Sequence, residues 1–245
     1  MRYYRITQSF DPLITGGKEF IKDFLNLDGI NNPKALGNLP QGERVLIDPI
    51  VPDHLINSGA KLNDFHITGG PLSNRFLVTG KSKNTIQSIR KDLLQFFPSS
   101  IIQGGNNVAI YWVTHVIQYN TELLDFEKTE FHFIRIRKIS KPFYPPEFEK
   151  SEEIKIFGSF EMFKTFRQNE LSYLDSLTAI KVFIKKLNPY PILIFHGIGI
   201  NDWVINGSVK DMFENEGITG VEFWPIEIPD EEWFGPNGIR KQYYK

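Results

Sequence analysis

Two of the five histidines stand in similar surroundings, and they offer the simplest chemistry that this chain could perform. His66 and His196 each follow a phenylalanine and precede a turn that contains glycine. With Asp202 close to His196 in sequence, these side chains could serve as an acid–base set in a small-molecule hydrolase or phosphotransferase. None of the histidines has the spacing of a metal-binding pair on one helix, so the sequence predicts no metal. His115 and His132 lie in strand-like runs among apolar residues, where hydrogen-bonded strand histidines are a simpler interpretation than metal ligands.

A phosphate-binding loop is the second chemistry to consider, because Thr79-Gly80-Lys81-Ser82 follows a strand-like run and opens a helix-like one. The complete motif needs a glycine five residues before Gly80, and Arg75 occupies that position. Without that glycine the loop lacks the turn that would wrap backbone N–H groups around a phosphate. The segment therefore predicts a helix start, and the sequence predicts no cofactor.

A group of basic residues, which we call the basic stripe, suggests a different function to consider: association with nucleic acid. Its cations lie among aromatic residues on a strand-like run, which is a pattern that binds single strands by stacking. The alternative is an edge strand that is protected by charge. The chain as a whole has a net charge of −1, which favours the second interpretation. The stripe consists of Arg135, Arg137, Lys138 and Lys141.

An acidic-aromatic segment near the end of the chain is the candidate for binding a protein partner. It comprises Asp230, Glu231, Glu232, Trp233 and Phe234, between a proline and a Gly-Pro turn. Large aromatic residues on an exposed loop often anchor an interface. The alternative is that both rings cover the core while the carboxylates face water, and the sequence does not decide between the two.

Composition limits the class of protein that must position these residues. The 245 residues include 41% apolar and 23% charged side chains, as in an ordinary globular protein, and 21 phenylalanines. The absence of cysteine excludes disulfides, thiolate metal sites and cysteine nucleophiles. The N-terminus lacks the apolar run of a signal peptide, and no stretch is long and apolar enough for a transmembrane helix. We therefore expect a cytoplasmic protein.

Hydrophobic periodicity predicts an α+β fold with mixed, mainly antiparallel sheets and a few flanking helices. Helices are expected over residues 18–25, 82–97, 160–167, 171–187 and 208–215. The Pro-rich stretch at residues 142–146 divides the chain into an N-terminal half, residues 1–141, and a C-terminal half, residues 142–245. The two halves could also pack as one continuous domain.

One pattern occurs twice within the chain. Phe76-Leu77-Val78-Thr79-Gly80 and Trp203-Val204-Ile205-Asn206-Gly207 share the order aromatic, aliphatic, aliphatic, polar, glycine, and a helix-like run follows each. Gly80 and Gly207 are 127 residues apart in the sequence, and we call this separation the repeat offset. The pattern predicts a strand–turn–helix–strand unit that is used twice, with Ser82 and Ser208 as helix N-caps. Tyr111-Trp112-Val113 would be the closing strand of the first copy. Chance recurrence is the alternative, since strands followed by glycine and a helix are common.

The segment from Gly217 to Pro225, which reads G-I-T-G-V-E-F-W-P, resembles the closing motif of a family of immunity proteins from bacterial polymorphic toxin systems. Phe76-Leu77-Val78 before Ser82, and Trp203-Val204-Ile205 before Ser208, add to the resemblance. It extends over residues 75–228, and residues 127–151 do not fit it.

The resemblance implies a bacterial protein that binds the toxin domain of a secreted effector, for example one of a type VI secretion system, and blocks its active site. Such proteins have no catalytic residues and need no cofactor. The cognate toxin is thus the expected partner, with no membrane or nucleic acid involved. We expect the acidic-aromatic segment to bind it, with Arg135 and Arg137 as second candidates.

Overall fold

A computed structural model describes residues 2–16, 19–26, 31–72, 75–139, 147–199 and 203–244. The strands of these residues are β1 (Tyr3–Gln8), β2 (Ile21–Leu25), β3 (Asp53–Ile56), β4 (Phe65–Ile67), β5 (Phe76–Val78), β6 (Leu94–Gln103), β7 (Asn106–Val116), β8 (Glu130–Lys138), β9 (Phe148–Lys155), β10 (Ser176–Lys181), β11 (Ile192–Ile194), β12 (Trp203–Asn206) and β13 (Val221–Pro225). The helices are α1 (Pro12–Thr15), α2 (Gly80–Ile89), α3 (Phe160–Asn169), α4 (Gly207–Asn215) and α5 (Asp230–Phe234). None of these helices is both long and apolar enough to cross a bilayer.

These strands form three sheets. The first has the order β2-β3-β6-β7-β5-β4, the second β11-β12-β1-β13 and the third β10-β8-β9. Every pairing of these strands is antiparallel except that of β3 with β6, which is parallel. The predicted α+β class, with mixed and mainly antiparallel sheets, is confirmed.

The fold contains the same supersecondary unit twice. The first unit, residues 65–98, is built from β4, β5, α2 and the first half of β6, and the second unit, residues 192–225, from β11, β12, α4 and β13. Phe65 faces Val78 in the first unit, and Ile192 faces Ile205 in the second, so the strand registers also agree at the repeat offset. The repeated unit that the sequence predicted is thus present.

Each unit encloses one further strand between its second and last strands. β7 lies between β5 and β6, and β1 lies between β12 and β13, antiparallel to both neighbours in each case. The pairing along the two enclosed strands is also equivalent. The matching pairs are Leu77–Val113 and Leu94–Val116 in the first unit, and Val204–Arg5 and Val221–Gln8 in the second.

Two details of the predicted repeat were wrong. The strand that closes the first unit is β6, whose Phe96-Phe97-Pro98 corresponds to Phe223-Trp224-Pro225, whereas Tyr111-Trp112-Val113 belongs to the enclosed β7. The helix N-caps are Thr79 and Asn206, not the predicted serines. Their side-chain oxygens accept hydrogen bonds from backbone N–H groups three residues later.

Three expected helices also differ from the structure because tertiary pairing overrides local periodicity. The segment expected as a helix over residues 18–25 contains β2, which pairs with β3 and has a register shift between Ile21 and Asp23. Residues 171–187 contain β10, in which buried Leu177 and Ala179 alternate with polar neighbours. The helix expected over 82–97 ends at Ile89, because β6 then pairs with β7.

The core has three parts that are separated by the sheets. The central core joins the first and second sheets and receives Ile86 from α2 and Phe213 from α4. Here Phe76 and Trp203, which occupy equivalent positions of the two units, meet edge to face with ring centroids 4.8 Å apart. A phenylalanine-rich core joins the second sheet to α3 and the third sheet. The third part covers the other face of the first sheet.

The proposed boundary between residues 141 and 142 falls outside the described residues, so it stays a prediction. The second sheet nevertheless combines β1 from the start of the chain with β11, β12 and β13 from its end. The N-terminal strand is therefore part of the C-terminal sheet.

Candidate functional site

The acidic-aromatic segment forms α5, in which one aromatic residue is buried and the other is exposed. Trp233 is only 1% exposed and stacks on Trp224 with nearly parallel rings 6.0 Å apart. Phe234 is 45% exposed and meets Phe10, itself 59% exposed, edge to face at 5.8 Å. Each of the two interpretations drawn from the sequence therefore describes one ring: Trp233 belongs to the core, and Phe234 belongs to the surface.

Exposed carboxylates of α5 lie close to this pair of rings in sequence, and Arg240 lines a shallow pocket together with Phe10 and Phe234. Asp230, Glu231 and Glu232 are all exposed on α5. The Asp230 carboxylate lies 3.6 Å from the guanidinium of Arg5, which is itself buried over the Trp224 ring. We call this region, formed by Phe10, Phe234, Asp230, Glu231 and Glu232, the acidic-aromatic surface.

A buried carboxylate fixes the base of the acidic-aromatic surface. Glu222 in β13 is 1% exposed and accepts hydrogen bonds from the Ser9 hydroxyl at 2.8 Å and from the Phe10 backbone N–H at 2.9 Å. Its other oxygen accepts from Nε of Arg240 at 2.8 Å. One carboxylate thus joins the end of β1 to the C-terminal tail, because a buried charge is stable only when it is paired and hydrogen-bonded.

The basic stripe lies on a two-stranded ribbon. Arg135 and Arg137 belong to the part of β8 that extends past β10 and pairs with β9 alone. Arg137 faces Glu149 across the ribbon, and β9 carries two further glutamates, Glu152 and Glu153. Lys138 is exposed at the end of β8, and Lys141 lies outside the described residues. The ribbon therefore offers no continuous positive face of the kind that a nucleic acid would need.

The two histidines of the acid–base hypothesis are placed in different surroundings. His66 is buried flat against Phe20, with ring centroids 3.4 Å apart, and its Nε2 accepts from the Asn63 N–H at 3.3 Å. Burial lowers the pKa of His66 to about 3, so its imidazole is neutral near pH 7. His196 is exposed on the β11–β12 connection, and Asp202 lies outside the described residues. No described contact joins the two histidines.

A cavity of about 600 Å³ opens between the connections β4–β5 and β11–β12, which are equivalent parts of the two units. Each connection contributes a glycine with positive φ, Gly70 at +52° and Gly197 at +74°, and the repeat offset relates these glycines too. Trp203 lines the same cavity from the central core. The cavity therefore lies where the two units meet.

Arg75 is the charged residue among the described residues that line this cavity. It is 4% exposed, and its Nη2 donates to the backbone carbonyls of Leu36 at 2.8 Å and Leu39 at 3.2 Å. Its Nε is buried without a hydrogen-bond partner. Within the described part of the chain, no carboxylate lies within ion-pair distance of this guanidinium.

Two rings form one wall of the cavity. Tyr119 and His196 pack with ring centroids 4.7 Å apart and an angle of 36° between their planes. The backbone N–H of His196 donates to the Thr121 hydroxyl at 2.8 Å, which fixes this connection to the segment that carries Tyr119. Burial, and then the charge of Arg167, lower the pKa of His196 below its ordinary value, so the imidazole is neutral near pH 7.

Sequence reasoning did not find this cavity. In the sequence, Arg75 stands out only as the residue that replaces a glycine of the phosphate-loop motif, and Tyr119 belongs to no motif. The signal that could have found them is the repeat offset, which relates Gly70 to Gly197 and so places the two connections at equivalent points.

No family model matches the chain, and a comparison with curated proteins found no match. The resemblance to the immunity proteins of polymorphic toxin systems therefore stays a prediction from the motif at residues 217–225.

Proposed function

We propose that this chain is an immunity protein, which binds a secreted bacterial toxin through the acidic-aromatic surface and covers the toxin's active site. The resemblance described above suggests the class of partner. The observation that carries the proposal is the exposed pair Phe10 and Phe234, with the exposed carboxylates of α5 on the same short helix as Phe234.

The exposed rings favour protein binding because water-exposed aromatic pairs are costly to a free protein. Interface hot spots are typically large side chains near the centre of the contact, with polar residues around them. Phe10 and Phe234 have this arrangement, and Leu13 adds a third exposed apolar side chain on the neighbouring α1. Burying the rings against a partner would remove their apolar area from water.

The exposed carboxylates of α5 indicate the charge of the partner. The exposed carboxylates of Asp230, Glu231 and Glu232 complement a basic surface, such as one that binds phosphate groups in a toxin that acts on nucleic acid. Opposite charges at the rim mainly accelerate association and weaken with salt. The rings would thus provide affinity, and the carboxylates would provide rate and selectivity.

The acidic-aromatic surface is also held in place by contacts within the chain itself. Glu222 holds the backbone of Phe10, and the stacked Trp224 and Trp233 support α5 from below. A surface that is already ordered loses little conformational freedom on binding, which favours high affinity. This rigid base suits a protein that acts by blocking access to a site.

The test is binding to, and protection against, the toxin domain encoded beside this gene. We expect the double variant F10A/F234A to weaken affinity by about a hundredfold or more in calorimetry, as for removal of two hot-spot residues. The matched control is F148A, which removes an exposed phenylalanine from β9 and should leave affinity unchanged. Reversing the charges in E231K/E232K should mainly slow association at low salt.

Two outcomes would contradict the proposal at different levels. If the wild-type protein neither binds the toxin nor protects cells, the immunity function is wrong. If the wild type binds but F10A/F234A and F148A behave alike, the function stands and the assignment of the surface is wrong.

A further inference from the structure

We infer that the cavity between the two units binds a small planar monocarboxylate, whose carboxylate pairs with Arg75 and whose ring packs against Tyr119 and His196. This site shares no residue with the acidic-aromatic surface, and the inference does not depend on the proposed function.

The first argument is the unbalanced charge of Arg75. A guanidinium is protonated at all ordinary pH values, and a buried charge is costly unless an opposite charge and hydrogen bonds compensate it. The carbonyls of Leu36 and Leu39 accept from Nη2 but carry no net charge. The buried Nε–H has no acceptor, and Nη1 forms no hydrogen bond within the described residues. Because Nε is closed off from solvent and Nη2 is already bonded, Nη1 is the donor left for a ligand anion, and Arg75 lines the cavity.

The second argument is the charge balance of the walls. Among the described residues that line the cavity, none is acidic and Arg75 is the single cation. Arg167 lies against Gly197 but does not line the cavity. A ligand with one negative charge would balance the charge of Arg75.

The third argument is size and lining. A volume of about 600 Å³ falls in the range of about 300–1,000 Å³ that is usual for small-molecule sites. The walls expose polar and apolar surface in similar amounts, so polar groups and apolar side chains both face a ligand. The apolar lining residues are Leu39, Pro40, Pro71, Val116, Ile194 and Phe195.

The fourth argument is the rigid aromatic wall, which favours a flat ligand. Gly42, with φ of +100°, packs so closely on Tyr119 that a Cβ atom there would lie 2.9 Å from the ring. The Tyr119 ring also meets His196, whose backbone is held by Thr121. Fixed rings of this kind favour stacked or edge-to-face contact with a planar ring.

Calorimetry on the full chain can test the inference with indole-3-acetate and its neutral isostere indole-3-acetamide. Both have the same planar ring, and they differ in charge. We expect the acid to bind about tenfold or more tightly than the amide, because only the acid pairs with Arg75. Inorganic phosphate, which lacks a ring, should bind more weakly than the acid.

Variants separate this site from non-specific binding. R75K keeps the charge but loses the planar fork, and it should weaken binding of the acid about tenfold. Because Arg75 is buried, the folding of this variant is checked by circular dichroism. H196A changes an exposed residue and should weaken binding about fivefold through loss of the ring contact. The matched control is H132A on the distant ribbon, which should leave binding unchanged.

The inference is wrong if the acid gives no heat of binding at millimolar concentration, or if acid and amide bind equally. It is also wrong if H196A and H132A bind the acid with the same affinity. The comparison of H196A with H132A still tests the inference if R75K does not fold.

Discussion

The two units have the same strand order, register and helix, but they obtain their enclosed strand in different ways. β7 follows β6 directly through Gly104 and Gly105, whose positive φ values suit a tight hairpin. β1 reaches the second unit from the opposite end of the chain. The first unit is therefore closed by a local contact, and the second unit is closed by pairing that spans most of the sequence. We infer that the second unit depends more on long-range contacts, whose closure is entropically costly.

One pair of equivalent positions shows that the two units hold neighbouring segments of the chain by different interactions. Gln95 and Glu222 are related by the repeat offset, and each binds a segment outside its unit. Gln95 exchanges hydrogen bonds with the backbone of Val45, using its amide oxygen and nitrogen. Glu222 instead holds the end of β1 and Arg240 of the tail through a buried ion pair. The unit that must hold the chain terminus uses a charge, while the locally closed unit uses a neutral amide.

The largest expected effect comes from the contact between the units in the central core. Replacing Trp203 or Phe76 by alanine should each lower the free energy of unfolding by about 4 kcal/mol, because both rings are buried. Since the rings touch, the double variant should cost about 1 kcal/mol less than the sum. Urea unfolding measures all three values, and W203F with F76L serves as a milder cycle. Strict additivity would show that these two rings are not energetically coupled across the contact.

The second effect tests the difference between the buried ion pair and the amide. E222Q gives the second unit the residue of the first, and it should cost about 3 kcal/mol because Arg240 loses its buried partner. Q95A should cost only about 1 kcal/mol, the value of ordinary hydrogen bonds. Urea unfolding gives both values, and proteolysis of the C-terminal tail reports on E222Q. Equal losses in the two variants would contradict the distinction between the units.

The smallest effect concerns pH. His66 in the first unit corresponds to Leu193 in the second, and both are buried. The pKa of His66 is lowered by burial to about 3, whereas that of the unfolded chain is near 6.5. The unfolded state therefore binds the proton first, and stability falls as the pH decreases below about 6.5. Between pH 6 and pH 5, protonation of His66 in the unfolded state lowers the free energy of unfolding by about 1 kcal/mol per pH unit.

Urea unfolding at pH 7, 6 and 5 measures this slope. The variant H66L should reduce the slope by about 1 kcal/mol per pH unit. Part of the dependence should remain, because burial also lowers the pKa of His54, to about 4. The control is H132Q, which removes a partly exposed imidazole from the ribbon. If H66L and the wild type lose stability equally on acidification, His66 is not the buried neutral group described above.

Local patterns identified the repeat, but they misplaced its end. The aromatic–aliphatic–aliphatic–polar–glycine order predicted β5, β12 and the helices that follow them. The helix expected over 82–97 then hid the match between Phe96-Phe97-Pro98 and Phe223-Trp224-Pro225, because Leu93 and Phe96 fit a helical face as well as a strand. Pairing with β7 decided in favour of the strand. Periodicity does not contain that information, since the partner strand lies in another part of the chain.

The sequence by itself determined the α+β class, the repeated unit and the acidic-aromatic composition of residues 230–234, because these follow from local order and spacing. Only the tertiary structure decided that Trp233 is buried while Phe234 is exposed, that β1 completes the second sheet, and that Arg75 faces a cavity with Tyr119 and His196. These features depend on which distant segments meet. The exposure of a side chain and the pairing of a charge are set by neighbours that are remote along the chain, so the local pattern around each residue cannot specify them.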